Sequence, residues 1–269
     1  MNEIILEMRN ISKSFEQVQT LRGVDFRLRK GEIHGIVGEN GHRQAMALVN
    51  ILAGVHPYGT YEGEIVYRGQ LQRFQSSQDS EKMGIAMVGV GREQLIPGMT
   101  VCENIFLNRE ITIGPIISWK KTYQKAEELL REVQLDVSPK AKVKALDREQ
   151  SQRVLIAKAL VKNTDVLILD HPTIHLGAVE AERIFSLLNA LREAGKTLII
   201  ASSLLREFAQ MDAVTVLRGG ENLCVLYGRQ EISESEVIRG MAGRELEDIY
   251  PEKEKKSAWG GLFGGWVSR

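Results

Sequence analysis

Two unbroken apolar runs, Val166-Leu167-Ile168-Leu169 ending at Asp170 and Thr197-Leu198-Ile199-Ile200, leave this chain few ways to fold. A strand that is apolar at every position is covered on both faces, and helices alternating with such strands make the crossovers of a parallel sheet. The same arrangement recurs upstream. A mostly apolar run at 32–37 ends at Gly38 and precedes a helix over 45–53, whose Leu48, Val49, Ile51 and Leu52 face a sheet, with Gly54 as its stop. A helix over 150–160 leads into the 166–170 strand. An amphipathic helix over 179–194 turns at Gly195 into 197–200. The class is α/β. Residues 4–8 and 24–28 alternate as half-buried strands do, and 63–67 and 85–88 read as further strands. Residues 213–217 and 223–227 form a hairpin about Gly219-Gly220, and Ser233 to Glu236 opens a short helix with a capping box. From 101 to 133 the pattern is helical and more polar, with Pro97 and Pro115 as punctuation and a charged helix over 120–132, as in a helical insertion. No internal repeat is present in the sequence.

The 269 residues suit one large α/β domain. Thirty-five basic residues balance thirty-five acidic ones with no basic block, which excludes nucleic acid as the expected partner. Cys102 and Cys224 are isolated thiols without a C-x-x-C pattern and read as reduced and structural. Residues 1–8 lack the pattern of a signal peptide, and no apolar run approaches the roughly 20 residues that span a bilayer. The expected location is cytoplasmic, and any membrane role peripheral.

The turn after residue 37 carries the functional question. A working phosphate loop reads G-x-x-x-x-G-K-[ST]: backbone N–H groups wrap the phosphates, the lysine bridges the outer ones, and the hydroxyl ligates magnesium. Here Gly38-Glu39-Asn40-Gly41-His42 keeps the outline, while the closing positions are Arg43, Gln44 and Ala45. Taken alone, the segment fits any turn from strand to helix.

Its surroundings resemble the nucleotide-binding domain of ABC transporters, specifically the first half of monosaccharide importer ATPases of the ribose, galactose and xylose type. Ile11-Ser12-Lys13-Ser14-Phe15, Gly31-Glu32-Ile33-His34, Asn50-Ile51-Leu52-Ala53-Gly54-Val55 and Leu95-Ile96-Pro97 carry the likeness in order. So do the run from Thr100 to Leu107, Ile156-Ala157-Lys158-Ala159-Leu160, 166–170, and Gly243-Arg244-Glu245-Leu246 with Tyr250-Pro251. The resemblance implies a P-loop NTPase-like fold: a mainly parallel core sheet, an N-terminal antiparallel β subdomain and a helical subdomain. The expected division is a cassette over 1–251, with its helical insertion at about 92–160, and a charged, then glycine and aromatic tail over 252–269.

The resemblance also implies ATP and Mg2+ as ligands, and it assigns positions to hold them. Phe15 falls where adenine stacks, or is plain core. The phosphate loop falls on Gly38, Asn40, Gly41, Arg43, Gln44 and Ala45, with the family's lysine replaced by Gln44 and its hydroxyls by Ala45 and Met46. His42 and Arg43 offer the only replacement charge there. Asp170 stays as the magnesium-side carboxylate. The catalytic glutamate becomes His171, which can serve as a base near neutral pH or stand as a partly exposed residue before Pro172-Thr173. The magnesium-sensing glutamine falls on Gly91, with Gln94 nearby, and the switch histidine on Ser203. The signature becomes Leu146-Asp147-Arg148-Glu149-Gln150, where Asp147 and Glu149 suit an empty helix start but repel a phosphate.

The apolar strands are intact while nearly every chemical position is replaced. The expectation is a pseudo-ATPase with a structural or regulatory role, binding ATP weakly or not at all. Its expected partners are a transmembrane sugar permease, which would touch residues 91–108, and a second ATPase subunit or a second copy as a dimer. A weakly active ATPase, and a remnant or inactivated sequence, are the alternatives. The tail's Trp259, Leu262, Phe263, Trp266 and Val267 read as a disordered end or an apolar docking stripe.

Overall fold

The structure, a computed structural model, describes residues 3–39, 42–89, 94–229 and 232–242. Asn40, Gly41, Gly91 and the tail therefore lie outside the described residues. In chain order the strands are β1 (Ile4–Phe15), β2 (Val18–Arg29), β3 (Ile33–Gly38), β4 (Glu62–Tyr67), β5 (Gln70–Gln72), β6 (Ile85–Val88), β7 (Thr112–Ile113), β8 (Ile116–Ile117), β9 (Val166–Asp170), β10 (Thr197–Ala201), β11 (Ala213–Arg218) and β12 (Glu221–Tyr227). The helices are α1 (His42–Leu52), α2 (Ser77–Lys82), α3 (Val101–Ile105), α4 (Trp119–Glu132), α5 (Arg148–Leu160), α6 (Ala178–Glu193), α7 (Leu205–Phe208) and α8 (Glu234–Ala242).

The core sheet has the order β12-β11-β3-β10-β9-β6, parallel throughout except for β12, which pairs antiparallel with β11. The expected buried runs lie at its centre. Successive side chains of a strand point to opposite faces, so β9 and β10 feed two cores. Val166, Ile168 and Ile199 pack with α1 and the N-terminal sheet, while Leu167, Leu169, Leu198 and Ile200 pack with α5 and α6. The second sheet, β2-β1-β4-β5, is antiparallel, as expected for the N-terminal subdomain. Gly54 does end α1. Its φ of 69° is left-handed, and a Cβ there would sit 2.3 Å from the Ser76 carbonyl oxygen.

Three local readings change. β1 and β2 run on to a tight turn at Glu16 and Gln17, both left-handed at φ 45° and 71°, where the sequence offers no Asn-Gly or Asp-Gly to announce a hairpin. The helical pattern expected from 101 to 133 is broken: α3 ends at Ile105, and a two-residue hairpin, β7 with β8, turns at Gly114-Pro115 before α4 begins. Proline has no N–H to continue a helix, and Gly114 adopts φ 60°. Finally, α1 and α5 begin earlier than the apolar pattern predicts, because their first turns are polar. Among the described residues no helix is long and apolar enough to cross a membrane.

Candidate functional site

β3, β10 and β9 are neighbours, so their carboxyl ends open side by side, which is where ligands bind in open parallel sheets. Each end delivers one part of a cluster. β9 ends on Asp170 and continues into His171. β10 leads to Ser203. The turn after β3 brings in His42, the first residue of α1. His42 Nε2 lies 2.5 Å from Asp170 Oδ1, and His171 Nδ1 lies 3.0 Å from the same oxygen. The two imidazoles meet edge to face at 3.8 Å between centroids. On the far side of the His171 ring, Nε2 lies 2.9 Å from Ser203 Oγ and accepts from the Ser203 backbone N–H at 3.1 Å.

Sequence reasoning placed His171 as partly exposed; the structure buries it, 6% exposed, beneath this network. The cause is the backbone. His171 sits at φ 42°, and its N–H donates to the Ala201 carbonyl, which folds the side chain back over the strand ends. Burial pushes the Asp170 carboxyl up, but hydrogen bonds from His171 and His42, together with their charge, outweigh it and hold the group below the usual carboxylate range.

The remaining positions assigned by resemblance are less concentrated. Arg43 is exposed and Ala45 fully buried. Gln44 is buried with its Oε1 unpartnered among the described residues, as is His42 Nδ1. Gly38 closes β3, and the following Glu39 is tied to the hairpin by its N–H to Leu217 O and by Arg218. Phe15 is half-buried, its ring 5.2 Å from that of His56 and 5.2 Å from Lys13 Nζ. Gln94, the alternative to Gly91, is exposed, and its carbonyl accepts from Lys158 Nζ.

The signature-like segment is closed by its own residues. Leu146 is buried. Asp147 caps α5, accepting from the Gln150 N–H at 2.7 Å, while Gln150 Oε1 accepts from the Asp147 N–H at 3.1 Å. Glu149 turns along the helix to Arg153, at 3.0 and 2.8 Å, and reaches Arg183 at 3.3 Å. The i, i+4 spacing of Glu149 and Arg153 is a signal the sequence carries, whereas nothing in the spacing of His42 and Asp170 announces their contact.

The parallel core, the antiparallel sheet beside α1 and the helices gathered on α5 together define an ATP-binding cassette. The fold is that of a nucleotide-free ATP-binding cassette from an ABC transporter, with a TM-score of 0.75 at 23% identity, covering 93% of this chain and 100% of that one. A family model described as ABC transporter matches residues 21–174, more than half of the sequence, and the chain belongs to that family. It is 44% identical over 252 residues to a xylose import ATP-binding protein of Moorella thermoacetica, covering 93% of this chain and 49% of the relative. To an L-arabinose transport ATP-binding protein of Geobacillus stearothermophilus it is 41% identical over 258 residues, covering 95% and 50%. A ribose import ATP-binding protein of Streptomyces avermitilis is 39% identical over 255 residues, covering 94% and 48%. The chain thus spans about half the length of the curated relatives it matches.

Proposed function

We propose that this chain is a non-hydrolysing ATP-binding-cassette subunit of a carbohydrate import system, acting through its fold on a membrane permease and on a second cassette. The names of the relatives support the sugar and the import. One observation carries the rest: Asp170, the carboxylate left to steady magnesium, is already engaged by the imidazoles of His42 and His171. The neighbouring residues do not fit a magnesium nucleotide either. Gln44 offers a neutral, buried amide in place of an ammonium, and Ala45 offers no hydroxyl to a metal. At the start of α5 the Asp147 carboxylate occupies the N–H that a phosphate would need. The docking surface for the permease is the segment 91–108, whose described part includes exposed Ile96 and the Thr100–Glu103 capping box that opens α3.

The test is calorimetric titration of the purified chain with ATP and Mg2+, together with steady-state phosphate release. Release is expected to equal that of a heat-denatured control. Gln44→Lys should raise nucleotide affinity modestly without restoring release, because catalytic groups that act as a unit are strongly non-additive. Turnover by the unmodified chain that disappears in His171→Ala would overturn the reading and establish the histidine as a base. Family-like turnover by Gln44→Lys alone would overturn it equally.

A further inference from the structure

We propose that the β7–β8 hairpin, together with Trp119, Lys120 and Lys121 at the start of α4, is a membrane-surface element: its isoleucines enter the interface of an anionic bilayer while the lysines meet lipid phosphates. This goes beyond the functional reading above and stands independently of it, since the partner is lipid rather than a permease or a nucleotide.

The hairpin gathers more exposed apolar surface than any other short stretch of the described residues. Ile113, Ile116, Ile117 and Trp119 are 58%, 71%, 41% and 42% exposed. Ile113 and Ile116 are cross-strand partners and share one face, while Ile117, opposite Thr112, lies on the other, with Gly114-Pro115 as the tip between the strands. Residues 111–119 include no charged side chain. The base is held firmly. The Ser118 N–H donates to the Ile111 carbonyl at 2.7 Å, the Ile111 N–H donates to the Thr122 hydroxyl at 3.2 Å, and Ile111 packs on the main core. A flat protein surface would cover one face of such a hairpin, whereas a lipid interface surrounds the tip and covers both.

The charges beside the hairpin select an anionic surface. Residues 111–126 hold three lysines and no acidic residue, in a chain whose basic and acidic residues are equal in number. Lys125 turns along α4 to Glu128, but Lys120 and Lys121 are exposed and make no ion pair among the described residues. They stand in the first turn of α4, which carries no acidic residue and whose Ser118 gives no side-chain cap. Cations at a helix N-terminus oppose its dipole, so this placement favours an anion supplied from outside. The Trp119 ring lies 6.2 Å from that of Tyr123, and Lys140 Nζ sits over the Tyr123 ring at 5.6 Å. Indole and phenol rings settle at headgroup level, between acyl chains and water, and each lysine near an anionic leaflet adds to the attraction.

The experiment uses the full chain with Trp259→Phe and Trp266→Phe, so that Trp119 is the only indole. It is mixed, free of nucleotide, with vesicles of phosphatidylcholine alone or of phosphatidylcholine and phosphatidylglycerol in equal parts. The chain is expected to sediment with the anionic vesicles and not the neutral ones, with Trp119 emission shifting to the blue, and added salt should weaken the binding. Lys120→Gln and Lys121→Gln should each lower vesicle affinity by about 5-fold. Ile116→Asp should abolish both sedimentation and the emission shift, while Ile116→Leu keeps them. These side chains are exposed, and an unchanged thermal midpoint shows that each variant folds. The proposal is overturned by absence of binding to anionic vesicles, which would leave the hairpin to a protein partner. It is overturned equally by binding undiminished in Ile116→Asp, which would place the lipid contact elsewhere in the chain, or by a lipid-free dimer that Ile116→Asp dissolves, which would assign the hairpin to a second copy. None of these results bears on ATP hydrolysis, and turnover would leave the lipid contact standing.

Discussion

The starts of α1 and α5, where the family resemblance places the phosphate-facing N–H groups, are built in two different ways. At α5 the replacements find partners within four residues: Asp147 with Gln150, and Glu149 with Arg153. The helix end is complete. At α1, His42 reaches across three strands to Asp170, while His42 Nδ1 and Gln44 Oε1 stay buried without partners among the described residues. Partners close in sequence complete a helix start, whereas partners on distant strand ends leave polar atoms unpaired beside them.

The largest mutational effect is expected on the long-range side. Asp170→Asn removes a charged acceptor shared by two imidazoles and should destabilise the fold by about 2–3 kcal/mol at neutral pH in urea denaturation. Because the folded-state group titrates below its unfolded value, that contribution is present above the unfolded pKa of about 4 and fades as pH falls through the folded one. The two proteins should therefore converge in acid. Equal stability at pH 7 would mean that the cluster contributes nothing to the fold.

On the local side, Glu149→Ala should cost about 2 kcal/mol, since Arg153, 7% exposed, loses its only carboxylate among the described residues. Arg183→Ala should cost no more than about 0.5 kcal/mol, because that partner is 62% exposed and screened by solvent. A reversal of this order would show that Glu149 is held chiefly from α6. The effect at the cap lies between these two. Asp147→Ala should lose about 1 kcal/mol and Asp147→Ser almost nothing, as a hydroxyl accepts from the same N–H. A cap variant costing as much as Asp170→Asn would erase the distinction between the two helix starts.

The range of each interaction also explains what the sequence disclosed. The strands 166–170 and 197–200 were legible because continuous apolar runs have one stable destination, between two layers of helix or sheet. Asp147 and Glu149 were legible as residues suited to a helix start, because that preference is local, while the box that Asp147 makes with Gln150 comes from the structure. The β7–β8 hairpin was not, since its four strand residues are exposed and too few for a period, and neither was the turn at Glu16 and Gln17. The meeting of His42 with Asp170 depends on strand order, which no local pattern records. The family resemblance drew attention to Asp170 as a retained carboxylate and to His171 as a replacement, without connecting the two. Only the fold joins them to His42.

The left-handed backbone at His171 limits which substitutions position 171 can accept. Glycine is at ease at a φ of 42°, and asparagine, aspartate and histidine tolerate it, whereas other L residues pay roughly 1–2 kcal/mol for the crowding of Cβ. Putting a glutamate back at this position would therefore carry a conformational penalty before any chemistry was tested. On the non-hydrolysing reading proposed above, the path from this sequence to a hydrolysing one is steeper than the number of altered side chains implies. At this residue it leads through a change in the course of the main chain.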